Sequence, residues 1–150
     1  MQTTKVSNFL YAEALSKFLQ EQDWSNFCTF TTPYELTLPS ARRLMERFHD
    51  RITKNIFAGE KPKFFWVAEK FECKDGFHTH GLLHYDKSHF PTGCNPVEVL
   101  DESYQIVSGA RKQTKHKKFR VSFSPYDKSR GAGKYCAKYI VKYCADYDWL

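Results

Sequence analysis

Asp75-Gly76 stands between two stretches rich in β-forming residues, Phe64 to Glu72 and Phe77 to Tyr85. Asp-Gly supplies the positive backbone angles that a tight hairpin turn demands, so any fold for this chain carries an antiparallel strand pair here. Other elements build on that pair. Residues 7–21 place Phe9, Leu10, Ala14, Leu15, Phe18 and Leu19 at helical spacing, which predicts an amphipathic helix. Cys28 to Thr32 reads as a strand stopped by Pro33. Pro39 and Ser40 open a helix through about Lys54, with Leu44, Phe48 and Ile52 on one face and Arg42, Arg43, Arg47 and Arg51 around it. Residues 96–110 read as a weak helix, 119–124 as a further strand, and 131–146 as a glycine-containing turn followed by a helix. This order predicts an α+β sandwich in which one antiparallel sheet carries packed helices.

At 150 residues, 41% hydrophobic and 27% charged, with 7 Gly and 6 Pro, the chain has the size and composition of one folded domain and excludes a disordered or collagen-like one. No apolar run approaches the roughly 18 residues of a membrane span, and no basic start precedes an apolar run, so a cytoplasmic protein without a membrane partner is expected. Five cysteines, Cys28, Cys73, Cys94, Cys136 and Cys144, form no close C-x-x-C pair and are read as thiols. Charge is unevenly placed. Residues 111–150 hold 11 basic and 3 acidic groups, against 12 and 14 in residues 1–110. Within that basic end Arg111, Lys112, Lys115, Lys117, Lys118 and Arg120 crowd ten residues, a density suited to a phosphate backbone. An aromatic content of 17% adds rings on which unpaired bases can stack, although most such rings serve a core.

His78-Thr79-His80 lies inside the second hairpin strand, where alternate residues share a face, so both imidazoles can grip one ion. With Asp75-Gly76 as a two-residue turn, Phe71 faces His80, Cys73 faces His78, and Glu69, opposite Leu82, shares the histidine face diagonally. A one-residue slip puts Glu72 opposite His78 instead. Glu69 is therefore the expected third ligand and Glu72 the reserve. Two imidazoles and a carboxylate leave open positions on a divalent ion, Mg²⁺ or Mn²⁺, which favours catalysis on a phosphate over a closed structural site. A zinc site of Cys73, His78, His80 and Cys94 is the competing reading, and His84 is left to packing.

The last helix reads Y-C-A-K-Y-I-V-K-Y and spaces Tyr135, Tyr139 and Tyr143 four apart, on one helix face. Such a stripe is ordinarily core. Here Lys138 and Lys142 each follow a tyrosine by three residues, and a neighbouring cation helps a phenol with a reference pKa near 10 form its anion. G-A-G-K at 131–134 lacks the remaining elements of a phosphate-binding P-loop.

These residues together resemble the HUH endonuclease superfamily, specifically the rolling-circle replication initiators, or Rep proteins. F-H-T-H-G-L-L-H resembles the family's His-hydrophobic-His motif, with Thr79 departing at the middle position; F-C-T-F-T-T-P at 27–33 resembles its first motif. Y-C-A-K at 135–138 resembles the third motif of Reps from small circular single-stranded DNA viruses, and Y-C-A-K-Y-I-V-K resembles that of two-tyrosine phage Reps. The resemblance runs from about residue 25 to 143 and implies a ferredoxin-like or RRM-like sheet bearing His78, His80 and Glu69, with Tyr135 presented from the final helix. It implies metal-dependent nicking of single-stranded DNA at a replication origin, guided by sequence or by a hairpin, through a 5′-phosphotyrosine link, followed by strand transfer. In that scheme Tyr135 is the nucleophile, Lys138 assists it, Tyr139 with Lys142 supplies a second cut, and the run from Arg111 to Arg120 holds DNA.

The expected organisation is a single HUH-type domain over 1–150, with 1–24 an N-terminal helical extension and no helicase domain, so that a host helicase and polymerase act as partners. A single-tyrosine HUH transposase and a non-catalytic RRM-like nucleic-acid-binding module remain as alternatives.

Overall fold

The computed structural model describes residues 2–109, 121–143 and 146–150. The chain runs α1 (Gln2–Glu21), β1 (Asn26–Phe30), α2 (Leu38–Asn55), β2 (Lys63–Lys70), β3 (Phe77–His84), α3 (Pro96–Ser108), β4 (Ser122–Pro125), α4 (Ala132–Tyr143) and β5 (Tyr147–Trp149), with single 3₁₀ turns at Lys87–His89 and Lys128–Arg130. The five strands form one antiparallel sheet in the order β4-β1-β3-β2-β5. Strand β3 lies between β1 and β2, which gives the split β-α-β arrangement of an α+β sandwich.

Local chemistry sets these boundaries. Helix α2 starts with a reciprocal cap: Thr37 Oγ1 accepts from the Ser40 amide at 3.3 Å while Ser40 Oγ accepts from the Thr37 amide at 2.8 Å. Pro39 occupies the first turn, where a missing N–H is harmless. Strand β1 starts and ends two residues earlier than the sequence suggests. The Thr31 carbonyl turns away from the ladder to accept from the Tyr104 hydroxyl at 2.8 Å, so pairing stops at Phe30.

Alternation divides the sheet's side chains between two faces. On one face Phe30, Phe64, Trp66 and Leu83 pack under Leu44, Met45, Phe48 and Ile52 of α2 and Leu100 and Tyr104 of α3. Thr79 belongs to this face, fully buried, its hydroxyl donating to Met45 Sδ at 3.3 Å. Trp66 is core here and offers no stacking platform for DNA. The second, smaller core joins Leu19 of α1 and Cys136 of α4 to Phe65, Val67 and Leu82.

Two expectations are corrected. The central hairpin does not turn tightly at Asp75-Gly76: β2 ends at Lys70, which pairs with Phe77, and the Phe71 amide donates to the Gly76 carbonyl at 3.1 Å, leaving Glu72–Asp75 as the connection. The register therefore sets Glu69 opposite His78 and Val67 opposite His80, in place of the expected Cys73 and Phe71, while Leu82 faces Phe65. Tertiary contact overrides the local turn signal, because the Phe77 amide donates to the Leu36 carbonyl at 3.1 Å and Lys74 Nζ sits 4.2 Å over the Phe71 ring. The second correction concerns the C-terminus. In place of a helix to residue 146, the chain returns as β5, with Leu150 and Phe64 exchanging backbone bonds of 2.8 and 3.1 Å.

Gly81 is pinned by the first core, since a Cβ there would meet Phe64 Cε2 at 2.6 Å and Phe30 Cε2 at 3.3 Å. Gly81→Ala should therefore lower unfolding free energy by about 1–3 kcal/mol, as overpacked cores do, and shift the urea midpoint down at unchanged slope.

Candidate functional site

Strand β3 projects His78 and His80 from the second face, and β2 sets Glu69 directly across from His78. Glu69 Oε2 lies 2.7 Å from His78 Nε2 and 2.5 Å from His80 Nε2, and the donor atoms of all three residues fall within 4.8 Å of one another. Glu69 and His80 are buried, at 9% and 5% exposure. An ionised carboxylate withdrawn from water this far requires cationic or hydrogen-bonding company.

The imidazoles are held by what surrounds them. The His80 Nδ1 meets Thr29 Oγ1 of β1 at 3.2 Å, across the Thr29–His80 pair of the ladder. A hydroxyl both donates and accepts, so Thr29 serves either tautomer of His80. Phe27 stacks on the His80 ring at 5.6 Å and 18°, and Phe71 lies 4.6 Å from the His78 ring. Burial, then the neighbouring His80, lowers the His78 pKa, against the opposing pull of Glu69. Its imidazole is thus neutral, with a lone pair available, at neutral pH.

This donor set fits a divalent cation: two imidazole nitrogens and one carboxylate oxygen converge from one face, the two-His, one-carboxylate pattern that leaves coordination positions open. Glu69, His78 and His80 could hold the ion. Glu72, the reserve ligand, lies on the exposed connection after β2. The zinc reading fails on the same register, because Cys73 is exposed in that connection and Cys94 packs against the α2–α3 core.

Helix α4 brings Tyr135 over this group. Its hydroxyl donates to Glu69 Oε2 at 3.2 Å and stands 3.5 Å from His80 Nε2, while its ring meets His80 edge-on at 5.2 Å. At 37% exposure the tyrosine keeps one side open to solvent. The helix start is built from the glycines of the G-A-G-K run. Gly131 adopts φ +67, a left-handed angle that ends the Lys128–Arg130 turn, and its carbonyl accepts from the Tyr135 amide at 3.0 Å. Gly133 touches α1 so closely that a Cβ would lie 3.1 Å from Leu19 Cβ and 3.2 Å from Ser16 O. These glycines set α4 against α1 and bind no phosphate motif.

A family model for replication-associated proteins of the ORF2 type matches residues 25–144. The chain belongs to this replication-associated protein family. No curated protein and no solved structure gives a significant match. In this replication-associated protein, Lys138 is exposed one turn after Tyr135. Tyr139 and Lys142 fall within α4, but their side chains lie outside the described residues, as do Arg111, Lys112, Lys115, Lys117, Lys118 and Arg120 altogether. Among the described residues no helix is long and apolar enough to cross a membrane.

Sequence reasoning did not single out Thr29 as His80's support or Phe27 as its stacking partner. Both follow from the β1–β3 register, which no local motif encodes.

Isothermal titration at neutral pH should register binding of about one Mn²⁺ per chain, and Thr29→Val should weaken it about tenfold, the usual effect of removing a ligand's supporting hydrogen bond. Protons compete for the His78 nitrogen, and its depressed pKa moves that competition to lower pH. Affinity should accordingly hold through the ordinary histidine range near pH 6.5 and fall only below it.

Proposed function

We propose that this protein initiates rolling-circle replication by nicking and rejoining single-stranded DNA, with Tyr135 as nucleophile and Glu69, His78 and His80 as the ligands of a divalent cation, Mg²⁺ or Mn²⁺. The observation that carries this reading is the Tyr135 hydroxyl, delivered by a separate helix to within 3.2 Å of a buried carboxylate that also engages two imidazoles. A core tyrosine in a stripe would have no reason to place its hydroxyl there.

When bound, the cation supplies Lewis-acid stabilisation of charge on the phosphate oxygens. The chain's own residues do the rest. Tyr135 Oη attacks the scissile phosphorus, an O–P bond forms to tyrosine, the P–O3′ bond breaks, and the phenolic proton ends on the departing 3′-oxygen. The 5′-phosphotyrosine so formed preserves the phosphodiester's energy, and attack by a 3′-hydroxyl reverses the step to rejoin the strand. His80 and Phe27 hold the tyrosine ring edge-on, which fixes the direction of attack. Lys138 favours the phenolate, and Tyr139 with Lys142 provides the second cut of continuous replication. The run from Arg111 to Arg120 holds the DNA backbone. A single domain over residues 1–150 carries out the reaction in the host cytoplasm, with unwinding and synthesis left to a host helicase and polymerase.

The test is incubation with labelled single-stranded oligonucleotides drawn from an origin library, with and without Mn²⁺, followed by denaturing electrophoresis. Wild type should give a protein–DNA adduct that requires the metal. Tyr135→Phe should reduce the first-cut adduct by about 10³-fold or more, and Tyr135→Phe/Tyr139→Phe should abolish it. An adduct persisting in the double variant would remove the tyrosines from the chemistry; binding without cleavage would leave a nucleic-acid-binding module.

A further inference from the structure

Between edge strand β4 and the start of α4 lies a groove of about 390 Å³ that opens beside the Glu69–His78–His80 group. Its size falls among small-ligand sites, which span about 300–1,000 Å³. Phe27 and Thr29 of β1, Ser122 and Ser124 of β4, and Arg130 and Tyr135 all face it. Phe27 is the wall common to groove and site: its ring lies nearly parallel to His80 and edge-on to Tyr135, at 6.1 Å and 80°.

We propose that this groove receives one unpaired nucleotide flanking the phosphate that Tyr135 attacks, with its base stacked on Phe27. The placement beside the scissile phosphate rests on the nicking function proposed above; the binding chemistry does not. A flat half-buried ring offers stacking to any base. The Ser122 and Ser124 hydroxyls project from an edge strand into the groove and can donate to or accept from a base edge. The exposed Arg130 guanidinium matches a phosphate, and Asp127, three residues earlier in the chain, is engaged in accepting from the Ser129 amide at 2.9 Å and its hydroxyl at 2.6 Å. A base held in a duplex has both faces covered by its neighbours, so stacking on Phe27 selects single-stranded DNA. One base seated on Phe27 also sets which phosphate of a flexible strand comes to Tyr135, so the groove determines where the cut falls.

The test measures fluorescence anisotropy of a labelled 20-nucleotide oligo-dT with Tyr135→Phe protein, without metal, so that binding is read apart from cleavage. Phe27→Ala in that background should bind about 5- to 100-fold more weakly at unchanged salt dependence, and Phe27→Tyr should restore binding. Arg130→Ala, on the exposed turn, should weaken binding and lower the slope of log affinity against log salt by about one. Binding by Phe27→Ala within twofold of its parent would overturn the proposal, as would an unchanged salt slope in Arg130→Ala. Should Phe27→Ala fail to fold by circular dichroism, Phe27→Leu, which keeps bulk and removes the aromatic face, carries the same prediction. Phe27-dependent binding without any metal-dependent adduct in the wild type would retain the groove and reject nicking; an adduct with Phe27-independent binding would do the reverse.

Discussion

The Glu69 carboxylate is the constraint around which the sheet's second face is arranged. It lies beside Val67 and Leu82 in a layer otherwise built to exclude water, so its desolvation must be offset by close partners. Two imidazoles supply them at 2.7 and 2.5 Å, and each has a further support of its own, Phe71 on His78 and Phe27 with Thr29 on His80. Removing any one of the three leaves the others buried and short of a partner. A divalent cation resolves the same imbalance from the other side, because it replaces two shared protons with one charge that all three groups face.

Presentation of Tyr135 then becomes a matter of fixing α4 at both ends. At its start, the left-handed turn at Gly131 aims the helix and the bare surface of Gly133 lets it sit against α1. Beyond its end, Arg42 of α2 holds the returning chain: its guanidinium donates to both Asp146 carboxylate oxygens at 2.8 and 2.7 Å, to Asp148 at 2.7 Å and to the Tyr147 carbonyl at 3.0 Å, while lying 5.3 Å over the Trp66 ring. Fork geometry of this kind suits arginine and would be lost with lysine. Strand β5 is thereby locked to the sheet edge, and the span between Gly133 and Asp146 is held between two anchored points.

The hairpin, the strand bearing His78 and His80, the amphipathic helices and the α+β architecture were legible because each announces itself through local periodicity. Long-range pairing was not. Asp75-Gly76 carries the dipeptide signature of a tight turn, yet contacts from Leu36 and Phe71 widen the connection and move the register, which brought Glu69 squarely opposite His78. Strand β5 escaped notice because three residues, Tyr147 to Trp149, are too few to show alternation, and their strand identity depends on β2 and Arg42. Thr29 and Phe27 looked like ordinary β-formers; their roles exist only where β1 meets His80. The hydrophobic position between the two histidines reads as a departure at Thr79, and burial against Met45 explains how a hydroxyl is accommodated there.

The most direct test of the central claim, that Glu69, His78 and His80 form a cation centre beneath Tyr135, is a crystal of the protein grown with Mn²⁺ and measured at the manganese absorption edge. The account predicts one dominant anomalous peak enclosed by His78 Nε2, His80 Nε2 and the Glu69 carboxylate, on the side that faces the Tyr135 hydroxyl. A structure in which those three side chains stay bonded to one another, with manganese elsewhere or nowhere ordered, would contradict it.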